Sequence, residues 1–171
     1  MKKALMTVAA MLALSTTVLA ADYDVIRVGV DAPYPPFEYR DPSGELTGFE
    51  IELGNAVCNE ITGQDCEWVI QAWDGIIPGL LARKYDMIFS SMSINPERAE
   101  RVLFSDPYYT TPSAFFAMDS SDFDAENTAG TRIGVQRATI QDTYLTELHG
   151  DAEIVRYTTA DDVLVDLEGG R

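Results

Sequence analysis

The alternation of strand-type and helix-type segments is the feature of this sequence that most restricts its fold. Residues 25–30 are rich in β-branched side chains, which predicts a buried strand. Apolar residues then recur at helical spacing from Phe49 to Ile61, which places them on one helical face, and Gly63 ends the helix. Because strands joined by helices run parallel, the pattern predicts an α/β fold built from two successive βα runs. Further strands are predicted at residues 37–39, 66–70, 85–89, 110–118, 132–136 and 153–157, and further helices at residues 74–83, from 95, 140–148 and 159–167.

Residues 1–20 have the composition of a secretory signal peptide. Lys2 and Lys3 form a positively charged start, residues 4–14 form an apolar segment, and Val18-Leu19-Ala20 precede the expected cleavage site. The apolar segment is shorter than the roughly 20 residues that a membrane-spanning helix needs. We therefore expect cleavage after Ala20 and export of the mature chain to the periplasm.

The net charge and the numbers of cysteine and histidine residues limit which partners and cofactors are expected. The formal net charge of −16 disfavours nucleic acid and anionic lipid, so no nucleic-acid partner is expected. Cys58 and Cys66 are an even number of cysteines in an exported chain, which predicts a disulfide bond that closes a short loop. His149 is the one histidine of the sequence, so we expect neither a metal site nor another cofactor.

Ligands of open parallel sheets bind beyond the carboxyl ends of the strands, so the loops there contain the candidate site. Three prolines make residues 31–37 a rigid loop directly after the first strand. Three more loops follow later strands or begin helices, at residues 71–74, 90–98 and 136–141. The candidate ligand-binding residues in these four loops are Asp31, Tyr34, Trp73, Ser90, Ser91, Ser93, Arg98, Gln136, Thr139 and Gln141.

These residue types suit a small zwitterion. Arg98 in the first turn of a helix, beside free backbone amides, favours a carboxylate. The serine hydroxyls and carbonyls can accept hydrogen bonds from an ammonium group, and Asp31 can pair with a cation. Trp73 and Tyr34 can flank an apolar stem. Each residue also has an ordinary structural explanation, such as a helix cap, a solvated ion pair or core packing.

Several motifs together resemble the family-3 periplasmic amino-acid-binding proteins of ABC importers, and within that family the lysine/arginine/ornithine- and histidine-binding proteins. The resemblance covers residues 24 to 171 and includes the place of the two cysteines. The segments that carry it are 29–38 (GVDAPYPPFE), 48–53 (GFEIEL), 73–80 (WDGIIPGL), 90–98 (SSMSINPER), 104–108 (FSDPY) and 134–136 (GVQ).

The resemblance implies a two-lobed periplasmic-binding-protein fold of type II. Its first lobe is expected at residues 21–109, a hinge at 110–112 and a second lobe at 113–171. The implied function is to bind a free amino acid, with a cationic one foremost, and to deliver it to the permease subunits. We expect a monomer that is not an enzyme.

The resemblance also assigns roles to individual residues. It implies that Arg98 holds the ligand α-carboxylate and that Asp31 meets the side-chain head group. It also implies that the Ser91 carbonyl and the Ser93 hydroxyl receive the α-ammonium, with Tyr34 and Trp73 beside the stem.

Two departures from the family pattern lie in the loop at residues 136–141. Ala138 stands where the family usually has glycine, and Ile140 stands where it usually has threonine. The sequence also stops at Arg171, where a further strand is expected and where family members continue. We therefore expect the second lobe and the return segment to be incomplete, with marginal stability and weak ligand binding.

Other functions remain open from the sequence. A neutral polar amino acid or an opine is an alternative ligand. Arogenate and prephenate dehydratases resemble this fold, and Asp31 or Asp74 would then be the candidate general acid. A receptor sensor domain is a third alternative, which would need a following transmembrane segment.

Overall fold

The computed structural model describes residues 24–171, so the predicted signal peptide lies outside the described residues. Strands and helices alternate along the chain. In chain order, they are β1 (Arg27–Val30), β2 (Tyr39–Arg40), β3 (Leu46–Thr47), α1 (Phe49–Thr62), β4 (Glu67–Ile70), a 3-10 helix (Trp73–Gly75), α2 (Ile76–Leu81), β5 (Met87–Ile88), α3 (Pro96–Ala99), β6 (Arg132–Gln136), α4 (Ile140–Leu148), β7 (Glu153–Tyr157) and α5 (Ala160–Glu168).

The first sheet is three-stranded and parallel, with strand order β4-β1-β5. Its central strand β1 contains Val28 and Val30, which have no exposed surface. Val28 packs with Cys58 of α1 in one apolar cluster, and a second cluster joins α2 to Tyr85 just before β5. β1 is apolar after Arg27 at its start, as is typical of a parallel strand that is covered by helices on both faces.

The second sheet pairs β6 and β7 in parallel over five residues. Ile133 and Val135 of β6 pack with Leu145 of α4 in an apolar cluster of their own. The helices α4 and α5 each begin after a threonine, Thr139 and Thr159, whose side chain accepts a hydrogen bond from a first-turn amide. The two parallel βα runs predicted from the sequence are therefore confirmed.

The predicted strand at residues 110–118 is wrong. No strand occurs between residues 101 and 130, and most side chains of the predicted segment are exposed. A strand requires a hydrogen-bonded partner, whereas the threonine- and phenylalanine-rich composition supplies only a preference. None of the other strands described for residues 24–171 pairs with this segment.

The buried face of α1 also differs from the prediction. The helix buries Glu50, Ile51, Gly54 and Cys58, whereas Phe49 and Ile61 are 44% and 59% exposed. The helix therefore turns a carboxylate toward the first sheet. Gly63 ends it as predicted, in a left-handed conformation with φ 78°.

Among residues 24–171, none of the helices has the length and apolarity that crossing a bilayer requires.

Candidate ligand-binding cleft

A cavity of about 240 Å³ lies where loops of the two sheets meet. The first sheet contributes Trp73 at the start of the 3-10 helix and Arg98 in α3. The second sheet contributes Ala138 and Thr139, which directly precede α4. Three of the four loops that the sequence predicts as the site, at residues 71–74, 90–98 and 136–141, therefore line this cavity, whereas the proline loop at residues 31–37 does not. A second cavity of about 360 Å³ borders the proline loop, and none of the predicted site residues lines it.

Arg98 is the main cation of the first cavity. Asn95 caps α3 by accepting a hydrogen bond from the Arg98 amide at 2.8 Å, which fixes the backbone of this turn. The guanidinium donates to the carbonyl oxygens of Ser93, at 2.9 Å, and Ala138, at 3.3 Å. Its Cζ lies 5.3 Å from the centroid of the Trp73 ring, at cation–π distance.

The electrostatics of Arg98 favour an anion. Burial lowers the pKa of its guanidinium. Within residues 24–171 it forms no ion pair with a carboxylate, since its partners are neutral carbonyls. A half-buried guanidinium with neutral partners can bind a carboxylate by a bidentate, charge-assisted contact.

The Ala138 carbonyl makes one of the contacts between the loops of the two sheets. It accepts hydrogen bonds from Trp73 Nε1 at 2.9 Å and from Arg98 Nη2. Ala138 has φ 61°, in the left-handed region that disfavours residues with a Cβ. Glycine has no Cβ and adopts this backbone conformation without strain, whereas the alanine of this chain adopts it at a cost in backbone strain.

Asp31 directly follows β1, the central strand of the first sheet, and is 8% exposed. Its Oδ2 accepts a hydrogen bond from Gln136 Nε2 at 2.8 Å, which links it to the end of β6. Burial raises the pKa of the Asp31 carboxyl, while the hydrogen bonds from Gln136 and the Trp73 backbone oppose that rise in pKa. A cation next to this buried carboxylate would relieve the cost of its desolvation.

A third contact between the sheets is an ion pair. Arg137 Nε lies 2.8 Å from Asp74 Oδ2, with both side chains about 40% exposed. Three consecutive residues, Gln136 to Ala138, therefore each contact a loop of the first sheet. Sequence reasoning did not assign a role to Arg137, because an arginine in a loop has no distinguishing pattern.

The other predicted residues divide into those near the cavity and those engaged elsewhere. Thr139 lines the cavity, although its hydroxyl also caps α4, and the Ser93 carbonyl accepts a hydrogen bond from the Arg98 guanidinium. Gln141 donates to Ser113 Oγ at 2.8 Å, and Tyr34 stacks on Phe37 with ring centroids 5.7 Å apart. Of the predicted ligand-binding residues, Trp73, Arg98 and Thr139 line the cavity. The others are not among its lining residues: Asp31, Tyr34, Ser90, Ser91, Ser93, Gln136 and Gln141.

The hydroxyls of Ser90 and Ser91 point away from the cavity into a buried acidic cluster, which sequence reasoning missed. Glu38 and Glu50 are 1% and 0% exposed, and both accept hydrogen bonds from these serines. The two glutamates belong to the segments 29–38 and 48–53, where their spacing gave no sign that they meet. The available signal was that Glu50, Gly54 and Cys58 share one helical face.

Comparison with known proteins defines the class to which this fold and cleft belong. The family model of the bacterial extracellular solute-binding proteins, family 3, matches residues 26–164, so the chain belongs to that family. Among its relatives is the L-arginine-binding protein of Pseudomonas aeruginosa, 41% identical over 99% of this chain and 66% of the relative. Another is the histidine-binding periplasmic protein of Escherichia coli, 37% identical over 100% of this chain and 68% of the relative.

The solved structures show the fold. The ancestral amino acid-binding protein AncCDT-1, described as a precursor of cyclohexadienyl dehydratase, matches with a TM-score of 0.82 at 33% identity. The match covers 86% of this chain and 67% of that one. The predicted type II periplasmic-binding-protein fold is thereby confirmed. The chain spans about two thirds of the length of the curated relatives it matches.

Proposed function

We propose that this protein is the solute-binding component of an ABC importer, which holds a free amino acid with a cationic side chain and delivers it to the permease subunits. The observation that carries the proposal is the half-buried Arg98 guanidinium, which faces the cavity between the two sheets with neutral carbonyls as its partners. Its site is suited to the α-carboxylate that all free amino acids share.

In this proposal the ligand lies between the loops of two lobes, residues 21–109 and 113–171, with a hinge at 110–112. Arg98 holds the α-carboxylate, and the Ser91 carbonyl and Ser93 hydroxyl receive the α-ammonium. Ser90 holds this segment in place through the hydrogen bonds of its hydroxyl with the Asp31 amide and with Glu38. Thr139 and Gln141 close over the ligand from the second lobe. The Ala138 carbonyl releases the guanidinium when the carboxylate arrives.

Specificity for a cationic side chain is assigned to Asp31. This carboxylate is buried and has a single amide, from Gln136, as its side-chain partner. A cationic head group would replace or join that amide and form a charge-assisted hydrogen bond. Trp73 and Tyr34 flank the aliphatic stem, which for Tyr34 requires rotation away from Phe37. The names of the relatives agree with this ligand class.

Localisation is part of the same proposal. The signal peptide predicted at residues 1–20 would direct the chain to the periplasm. The histidine-binding relative is named as a periplasmic protein. There the mature protein works as a monomer without a cofactor. Within residues 24–171 no group of three or more histidine, cysteine, aspartate or glutamate side chains is arranged to hold a metal ion.

The test is a thermal-shift panel of the purified chain with the twenty amino acids, ornithine and an opine. Since the chain spans about two thirds of its relatives, the panel is repeated on a fusion to the part of the L-arginine-binding protein that it does not match. Arginine, lysine or ornithine should raise the unfolding temperature most. Asp31→Asn should reduce that shift far more than Asp65→Asn, an exposed control. A fusion that melts cooperatively but responds to no amino acid contradicts the proposal.

One observation favours a dehydratase instead. Burial raises the pKa of Asp31, which contacts Gln136 of the second sheet, and a raised pKa is a property of a general acid. The named relatives are binding proteins, which favours binding. Incubation of the fusion with arogenate and prephenate, followed by chromatography of the products, separates the two functions, because turnover that Asp31→Asn abolishes would establish the enzyme.

A further inference from the structure

The two buried glutamates beneath the Ser90 and Ser91 backbone share one hydroxyl. Ser91 Oγ lies 3.2 Å from Glu38 Oε2 and 3.0 Å from Glu50 Oε1. A hydroxyl has one proton, so it can donate to one of these oxygens at a time. If both carboxyls were ionised, the other oxygen would face a lone pair of Ser91. The geometry is satisfied when one carboxyl carries a proton.

The surrounding donors show which carboxyl is ionised. Glu50 accepts from the Ser91 amide at 3.1 Å and from the Tyr108 hydroxyl at 2.8 Å. The Tyr109 hydroxyl lies 2.9 Å from Glu50 Oε1 and 2.5 Å from Ser91 Oγ, and it can donate to one of them at a time. Several donors converging on one carboxylate favour its charged form. Glu38 accepts from Ser90 Oγ at 3.0 Å and has Ser91 as its other partner. The proton therefore belongs on Glu38, which then donates to Ser91 Oγ while Ser91 donates to Glu50.

No cation compensates this pair. Among residues 24–171 neither glutamate takes part in an ion pair, although both are almost completely buried. The groups that face them are acidic or neutral, namely Asp31 after β1, Tyr34 in the proline loop, and Tyr108 and Tyr109 before residue 110. Two buried carboxylates without a cation cannot both ionise near neutral pH at small cost.

The pair joins the candidate site to the segment before the predicted hinge. Ser90 Oγ accepts a hydrogen bond from the Asp31 amide at 3.0 Å and donates to Glu38. Ser91 has φ 52°, a left-handed conformation that a non-glycine residue keeps only when its surroundings hold it. The Ser91 amide, donating to Glu50, supplies that restraint. One hydrogen-bond chain therefore runs from Asp31 to Tyr108 and Tyr109.

We propose that Glu38 and Glu50 share one proton, carried by Glu38, and act as positioning residues that hold the Ser90 and Ser91 backbone against the tyrosines before residue 110. An effect of this proton on ligand affinity rests on the proposed function, in which the Ser91 carbonyl and the Ser93 hydroxyl accept hydrogen bonds from the α-ammonium of the ligand. Loss of the proton places two like charges on either side of Ser91 and loosens this segment.

The pKa of Glu38 agrees with this geometry. Burial first, and the nearby Glu50 carboxylate second, raise the pKa of Glu38 from 4.5 to about 8. The folded chain thus holds this proton more tightly than the unfolded chain. The stability that the proton supplies is fully present below about pH 4.5 and is lost as the pH rises through about 8.

The test uses the full chain without ligand. Carboxyl carbons and the Ser91 amide are followed by NMR from pH 4 to 9, and thermal unfolding is measured over the same range. The variants are Glu38→Gln, which keeps a donor toward Ser91 Oγ, and Glu52→Gln, an exposed control on α1, the helix that contains Glu50. We expect one glutamate carboxyl to titrate near pH 8 and the Ser91 amide shift to follow it. The unfolding temperature should fall by about 5 to 10 °C between pH 5 and 9, and this fall should be absent in Glu38→Gln.

Three results overturn the proposal. The first is that every glutamate carboxyl of the unmodified chain titrates below pH 6, which needs no variant to fold. The second is that Glu38→Gln keeps the same pH dependence of the unfolding temperature as the Glu52→Gln control. The third is that the Ser91 amide shift does not follow the titration. A chain that meets these expectations but binds no amino acid would count against the proposed function and leave the proton pair established.

Discussion

Replacing Ala138 by glycine tests whether backbone strain is stored at the contact between the two sheets. Ala138 has φ 61°, and its carbonyl holds both Trp73 and Arg98. A residue with a Cβ pays about 1–2 kcal/mol in the left-handed region. Glycine removes this cost but loses about 0.5–1 kcal/mol through the greater freedom of the unfolded chain. Ala138→Gly should therefore raise the free energy of unfolding by about 0–1.5 kcal/mol.

The control is Ala56→Gly, at an exposed position inside α1. There glycine relieves no strain, so this variant should lose about 1 kcal/mol. Urea unfolding followed by circular dichroism gives both free energies of unfolding. An unchanged dependence of this free energy on urea concentration shows that the variants expose the same surface on unfolding and can be compared. We expect the free energies of unfolding of the two variants to change by amounts that differ by about 1–2.5 kcal/mol. Equal destabilisation of both would show that residue 138 is not strained in solution.

The remaining predictions concern stability. Cys58 and Cys66 form a disulfide with Cα atoms 5.4 Å apart. Replacing both by serine should therefore lower the free energy of unfolding in urea by about 2–3 kcal/mol. Two freely alkylated thiols in the unreduced protein would refute the bond. At Gly29 an added Cβ would lie 2.5 Å from the buried Tyr85 ring, so Gly29→Ala should lose about 1–3 kcal/mol by the same measurement. Gly150→Ala has ordinary contacts and should be nearly neutral, and an equal loss in both would show that the ring is not packed against β1. The Arg137–Asp74 pair is about 40% exposed, so Arg137→Gln should cost less than about 1 kcal/mol, and a larger loss would mean that the pair is desolvated.

Much of the fold could be predicted because local patterns decide it. The runs around Val28 and Val135 are apolar enough to be buried strands, and Thr139 and Asn95 cap helices by side-chain chemistry that acts over three residues. The segment at residues 110–118 failed because strand formation depends on a partner elsewhere in the chain. Its composition gives no information on whether that partner is present.

The candidate site divides in the same way. Arg98, Trp73 and Asp31 follow strands or begin helices, so their placement near the cleft followed from topology. The Ala138 carbonyl was beyond prediction, since every residue has a carbonyl and only the backbone path decides where it points. Glu38 and Glu50 were missed because acidic side chains are expected to be solvated. Their burial depends on donors from Ser90, Ser91, Tyr108 and Tyr109, which lie far from them in sequence.

The central claim is that Arg98 binds the α-carboxylate of a free amino acid. Calorimetric titration of L-arginine into the fusion protein tests it most directly, with Arg98→Ala beside Arg101→Ala, an exposed cation that lines the same cavity. We predict that Arg98→Ala weakens binding by about 2–4 kcal/mol, since it removes the charged partner of the carboxylate, and that Arg101→Ala changes it little. Equal affinity for Arg98→Ala and the unmodified fusion would contradict the account.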